Sequence, residues 1–352
     1  MSFDVLRWSV SAALAERPDA PLAALFQGPA QADPIQTTQT LSNGTDVAFW
    51  DYGVIAVTPP ASVAATKDVV ISCAVHGDET APIEMVRDML QDILSERLVP
   101  SQRVLFLIAN PAAILNDSRF VDVNMNRLFS GAHNQGDTAE HQRASDIERY
   151  VSQFFKLQQR YHYDLHTAIR DSKHEQFAVY PFTHGEPYSK QQLTFLAECG
   201  VDTILLNRAP TTTFSYYSVQ AHKAHAFTVE LGKVRPFGQN DMSRFAQADS
   251  GLRKLISTEA LELPEFSPSR HHVYDVCRTI NRQAEQFALN FPDDVANFTE
   301  FAQGHLLATD GEIEYRVEQP GERIIFPNAN VAIGQRALLT VVPIALEQLK
   351  LV

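Results

Sequence analysis

Residues 69–86 read VVISCAVHGDETAPIEMV. An apolar run rich in β-branched side chains delivers His76, and Glu79 follows three positions later, where a helical pattern begins. Continuous apolar strands are buried on both faces, as in sheets that helices cover from either side. A three-residue offset on the turn leaving such a strand sets both side chains on one side of it. The stretch therefore predicts a strand–turn–helix unit with an imidazole and a carboxylate at the carboxyl end of the strand, where ligand sites of open α/β sheets lie.

The same alternation continues downstream. DVVISCAV (68–75), RVLFLIAN (103–110), YHYDLH (161–166) and HAFTVELG (225–232) read as strands, and APIEMVRDMLQDILSER (81–97) and DTAEHQRASDIERYVSQFFKL (137–157) as helices. Residues 36–58 alternate around Asn43-Gly44, a hairpin signal. The pattern changes at the Pro-rich LELPEFSPSR (261–270), beyond which short strand-like runs follow: HHVYDVCRTI, EIEYRV, RIIF and ALLTVVPI. The expectation is an α/β domain over residues 1–262 and a smaller β-rich domain over 263–352.

Composition narrows the function. A net charge of −13 makes nucleic acid a poor partner and requires local cations if the ligand is an anion. No window approaches the ~18 consecutive apolar residues of a membrane span, so no membrane partner is expected. MSFDVLRWSVSAALAERPDA, at the N-terminus, reads as an amphipathic helix, not a signal peptide. Three widely spaced cysteines, Cys73, Cys199 and Cys277, offer neither a disulfide framework nor a cysteine metal site. A cytoplasmic location is the simplest expectation. The sequence does not indicate an oligomeric state.

Imidazole nitrogen and carboxylate oxygen are zinc donors, and a catalytic zinc keeps three protein ligands and one open position. With His76 and Glu79 as two, His166 at the end of YDLH is the third candidate, and Asp164, on the same side of that strand, is placed to orient an imidazole. The remaining histidines read as ordinary surface or core residues.

HGDETAP, RFVDVNMNRLF, DLHTAIR and VELG occur in this order, and IIFPNANVAIGQRALL follows in the C-terminal part. Together they resemble the succinylglutamate desuccinylase/aspartoacylase branch of the zinc-carboxypeptidase superfamily. The resemblance implies a carboxypeptidase-like mixed sheet flanked by helices, with one Zn²⁺ per subunit held by His76, Glu79 and His166. It implies that Glu230 activates water, that Arg119 polarises the scissile carbonyl, and that Asn126 with Arg127 binds a substrate carboxylate. The family often carries Asp-x-Asn-Arg, whereas Asn124 stands here at the aspartate. The implied activity is hydrolysis of a small anionic N-acyl amino acid. N-succinyl-L-glutamate, in arginine catabolism, leads; N-acetylaspartate or a non-catalytic zinc module are the alternatives.

The chemistry is self-consistent. Amide hydrolysis needs activated water, charge stabilisation on the carbonyl oxygen and a proton for the leaving nitrogen. A tricarboxylate such as N-succinylglutamate needs several cations, and Arg170, Lys173 and Lys233 near the motifs are candidates to hold its second and third carboxylates. Tyr315, Glu322 and Arg336 could narrow the site from the C-terminal part, but no residue there is assigned to it.

Overall fold

A computed structural model of the chain describes residues 37–352. The helix expected at the N-terminus lies outside the described residues. Strands β1 (Thr37–Thr40), β2 (Asp46–Asp51) and β3 (Val54–Thr58) form an antiparallel meander. Asn43-Gly44 lies in its first turn, with Gly44 at φ 86°, a conformation that glycine adopts without a Cβ clash. β4 (Lys67–Cys73), α1 (Thr80–Leu94), β5 (Arg103–Ile108), α2 (Pro111–Leu115), α3 (Ala139–Phe154) and β6 (Gln159–Ala168) follow. Next come β7 (Phe177–Tyr180), α4 (Lys190–Glu198), β8 (Thr203–Leu206), α5 (Phe214–His222), β9 (His225–Lys233) and α6 (Ala246–Ser257).

The sheet order is β1-β2-β3-β5-β4-β6-β9-β7-β8, continuing into strands of the C-terminal part. β5, β4, β6 and β9 run parallel to one another, whereas β7 is antiparallel to β9. Both faces are covered, and β4 shows why its central run is apolar on both sides. Val69, Ile71 and Cys73 pack into a core with Met85 and Met89 of α1. Val70 faces the other way, into a core with Leu105, Leu107, Ile147 and Val151. Alternate side chains of the run feed opposite cores, while Lys67 and Asp68 open the strand and Ser72, near its end, is buried and polar.

The C-terminal part comprises β10 (His272–Asn281), β11 (Phe287–Leu289), β12 (Leu306–Asp310), β13 (Ile313–Arg316), β14 (Arg323–Ile325) and β15 (Arg336–Pro343). β11, β12 and β13 form a small separate sheet. β10, in contrast, pairs parallel with β8, and β15 and β14 add beyond it. The mixed α/β architecture with a β-rich C-terminal part is as expected. The main sheet nevertheless runs on past the Pro-rich stretch: hydrogen bonding crosses the change of composition. No described helix is long and apolar enough to cross a membrane.

Candidate active site

The three central parallel strands aim their carboxyl ends at one place. β4 ends at Cys73, and Ala74, at φ 57°, turns the chain out of the sheet toward Val75 and His76. Gly77 follows, and a Cβ there would lie 2.4 Å from the carbonyl carbon of Ala113 and 2.6 Å from the Ser118 oxygen. Only glycine lets the two backbones approach so closely. The Gly77 N–H donates to the Arg119 carbonyl at 3.0 Å, which ties the arginine's loop to the His76 turn. Glu79 is the N-cap of α1 and makes no side-chain cap bond. Its carboxylate faces the imidazoles instead, still within the positive end of the helix dipole.

His76 Nδ1 lies 2.8 Å from Glu79 Oε1, and His166 Nδ1 lies 2.9 Å from Glu79 Oε2. All three residues are buried, and their donor atoms lie within 4.8 Å of one another. Each imidazole is held from behind. His166 Nε2 is 2.9 Å from Asp164 Oδ2, and Asp164 Oδ1 accepts from Ser72 at 2.5 Å. The buried chain continues through His162, 2.8 Å from Ser72, to Ser218, also at 2.8 Å. Asn124 Oδ1 faces His76 Nε2 at 3.0 Å and accepts from the Asn126 N–H at 3.0 Å. The amide at the family's aspartate position thus serves His76.

Glu230 is set by strand register. It pairs with His166 across β6 and β9, next to an irregularity between His166 and Ala168. Its Oε2 is buried and has no hydrogen-bond partner among the described residues. Burial pushes its carboxyl up to about 7, against the pull of His166 and Arg119 and with the push of Glu79. Glu79 goes the other way: although burial opposes ionisation, His76, His166 and Arg119 hold its carboxyl well below the usual range. Two neighbouring carboxyls held apart in this way suit an anionic ligand and a proton acceptor.

Arg119 Nη1 donates to Glu79 Oε1 at 2.9 Å and lines the cavity at the mouth of the cluster. That cavity holds about 260 Å³ and is also lined by Arg127, Arg170, Glu230 and Arg336. Arg127 spends one N–H on the carbonyl of Asn126, at 2.9 Å. Asn126 is buried behind the wall, its Oδ1 accepting from the Phe214 N–H at 3.0 Å. Arg170 reaches the cavity, but its guanidinium bonds the Pro327 carbonyl at 3.0 Å and pairs with Asp293. Lys233 lies outside, bonded to Asp171 at 3.0 Å, on a neighbouring cleft of about 250 Å³. Lys173 is exposed and lines neither. Of the three C-terminal residues noted in the sequence, only Arg336 reaches the cavity. Glu322 is committed to Arg278, and Tyr315 sits in the small sheet.

The donor set fits zinc: two imidazole nitrogens and one carboxylate oxygen converge, buried, beside an open cavity.

Residues 65–256 match the family described as succinylglutamate desuccinylase/aspartoacylase catalytic domain. Residues 269–344 match the AstE/AspA barrel-sandwich hybrid domain. The succinylglutamate desuccinylase of Idiomarina loihiensis is 58% identical over 89% of this chain and 93% of its own length. That of Shewanella frigidimarina is 56% identical over 86% of this chain and 90% of its own. The crystal structure of the Vibrio parahaemolyticus enzyme of that name superposes with a TM-score of 0.82 at 39% identity, covering 88% of this chain and 91% of that one. Murine aminoacylase 3, at 16% identity and a TM-score of 0.57 over 80% of this chain and 96% of its own, shares the fold. The chain belongs to the succinylglutamate desuccinylase/aspartoacylase family of amide-cleaving hydrolases.

Proposed function

We propose that this enzyme hydrolyses N-succinyl-L-glutamate to succinate and L-glutamate, a step of arginine catabolism, with zinc held by His76, Glu79 and His166. One observation carries the reading: an unpartnered buried carboxylate, Glu230, shares the mouth of the His76–Glu79–His166 cluster with the guanidiniums of Arg119 and Arg127. Relatives up to 58% identical are succinylglutamate desuccinylases by name, which supports the substrate. When bound, zinc supplies Lewis acidity toward the scissile amide and acidifies water.

The chain's own groups do the rest. Glu230, in its ionised form, accepts the proton of the attacking water and returns it to the leaving nitrogen of glutamate. Arg119 donates to the developing oxyanion, while its bond to Glu79 keeps it in place. Asp164 and Asn124 fix the orientation of His166 and His76. Arg127 presents a fork to a substrate carboxylate, a planar pairing that lysine does not reproduce.

The test is glutamate release from N-succinylglutamate by protein as purified, after chelation, and after zinc is restored. N-acetylaspartate at the same concentration is the comparison. Loss on chelation with recovery on zinc supports the reading. Faster turnover of N-acetylaspartate overturns the substrate and keeps the metal site. Turnover that ignores the chelator overturns the mechanism.

A further inference from the structure

The arginines around the cavity differ in one respect. Arg119 is paired with Glu79, and Arg170 with Asp293. Arg127 and Arg336 have no such carboxylate partner among the described residues. Arg127 uses one N–H on a backbone carbonyl, and the Nε of Arg336 is buried with no partner among the described residues. An unsatisfied donor of a buried cation is costly and calls for a partner.

Arg336 opens β15 and so belongs to the C-terminal part, yet it faces the same cavity as Arg127 and Glu230. Burial, then the nearby charge of Arg127, pushes its guanidinium down to about 9, against the pull of the Glu230 carboxylate, to which it makes no hydrogen bond. Burial and Arg119 act likewise on Arg127, to about 10. An anion between the two guanidiniums would relieve both. The guanidinium of Arg336 also lies over the Phe326 ring, 5.3 Å from its centroid. Stacking uses the flat face of the group and leaves its N–H donors unsatisfied, so it orients Arg336 without saturating it.

The wall that carries this pair is built with strain. Phe326, at φ 52°, occupies a backbone region that bulky residues rarely enter. It is held there by Asn297, a buried residue whose Oδ1 accepts from the Phe326 N–H at 2.8 Å. The Asn297 backbone is in turn pinned to the catalytic part, its N–H to the Asp171 carbonyl at 2.8 Å and its carbonyl to the Lys173 N–H at 3.1 Å. Residues 326–328 are thereby fixed against the cavity.

We propose that Arg336 is a substrate-binding residue that receives a second carboxylate of the acyl amino acid, that of the acyl chain or of the amino-acid side chain, beside the one held at Arg127. The identity of that substrate rests on the hydrolase reading above.

The test compares wild type with Arg336→Gln and Arg336→Lys. Three substrates are used: N-succinylglutamate, N-acetylglutamate, which lacks the distal acyl carboxylate, and N-succinylglutamine, which lacks the side-chain carboxylate. Zinc content and melting temperature certify each variant as folded. Arg336→Gln is expected to raise KM for N-succinylglutamate about 10- to 100-fold, the factor a charged hydrogen bond commands. For the substrate already missing the carboxylate that Arg336 holds, the effect should shrink to within about threefold, and the pattern names that carboxylate. Arg336→Lys should recover only part of the loss. An equal effect on all three substrates, or none, overturns the proposal. If wild type does not turn over N-succinylglutamate, the substrate reading fails separately. Calorimetry of glutarate against butyrate on zinc-loaded protein then decides the role of Arg336. A dicarboxylate preference that Arg336→Gln abolishes supports it, and a preference unchanged or absent overturns it.

Discussion

Replacing Glu230 with glutamine should make the metal-free protein more stable and the zinc-loaded enzyme nearly inactive. Burial lifts the Glu230 carboxyl from 4.5 to about 7 in the fold, while the unfolded chain keeps the ordinary value. Between those two values the native state holds a proton that the unfolded state has released, so stability falls as pH rises through that window. At pH 8 the ionised carboxylate costs about 3 kcal/mol, from a displacement of about two and a half pH units at about 1.36 kcal/mol each. Glutamine has the same shape and no charge to bury. Urea melts of chelated wild type and Glu230→Gln, run from pH 5 to 8.5, should show curves that nearly coincide at the acid end. They should diverge to about 3 kcal/mol at the alkaline end, with the variant the more stable. Turnover by the zinc-loaded variant should fall by at least ~10²-fold, the usual contribution of a positioned base. A stability difference that stays constant with pH, or a variant less stable at pH 8, would refute the account of Glu230 as a buried, unpaired carboxylate.

Three further outcomes are expected. Arg119→Ala should lower kcat by ~10²–10³ with little change in KM, because the oxyanion donor acts in the transition state; steady-state kinetics checks this, and a change confined to KM contradicts it. Asp164→Asn should weaken zinc binding about 10- to 100-fold, read by competition with a chromophoric chelator; an unchanged affinity would mean that the charge of Asp164 plays no part in holding His166 for the metal. Gly77→Ala should destabilise the protein by about 1–3 kcal/mol, because the new Cβ meets backbone atoms 2.4 Å away. A thermal melt matching wild type would mean that the 113–118 segment yields easily.

His76, His166 and Glu230 were readable because each lies at or just past the carboxyl end of a strand, with Glu79 on the turn into the next helix, and the central parallel strands of one sheet end on one side. Residues 69–86, 161–166 and 225–232 therefore carried enough periodicity to bring His76, His166 and Glu230 together before any coordinates. The cations were harder. Arg170, Lys173 and Lys233 are close in sequence to His166 or Glu230, but proximity along the chain does not tell which way a loop side chain points. Arg170 turns to Pro327 and Asp293, and Lys233 to Asp171. Arg336 carried no local signal, since its relation to Glu230 depends on the whole path of β10 to β15. Asn124 could be seen as a departure from the family pattern, but its contact with His76 depends on the short helical turn at Met125–Arg127.

The continuity of the main sheet bears on how the protein is made. Synthesis runs from the N-terminus, so His76, Glu79, His166 and Glu230 leave the ribosome before Phe326 and Arg336. Until β10 emerges, β8 is an open strand edge whose outer partner is missing, and such edges recruit other chains. The nascent chain therefore passes through a stage in which His76, Glu79, His166 and Glu230 are present, Phe326 and Arg336 are not, and its sheet is exposed to misassociation. The same part of the chain that covers the β8 edge also supplies Phe326 and Arg336 to the cavity, so a chain interrupted before β10 should be prone to aggregation.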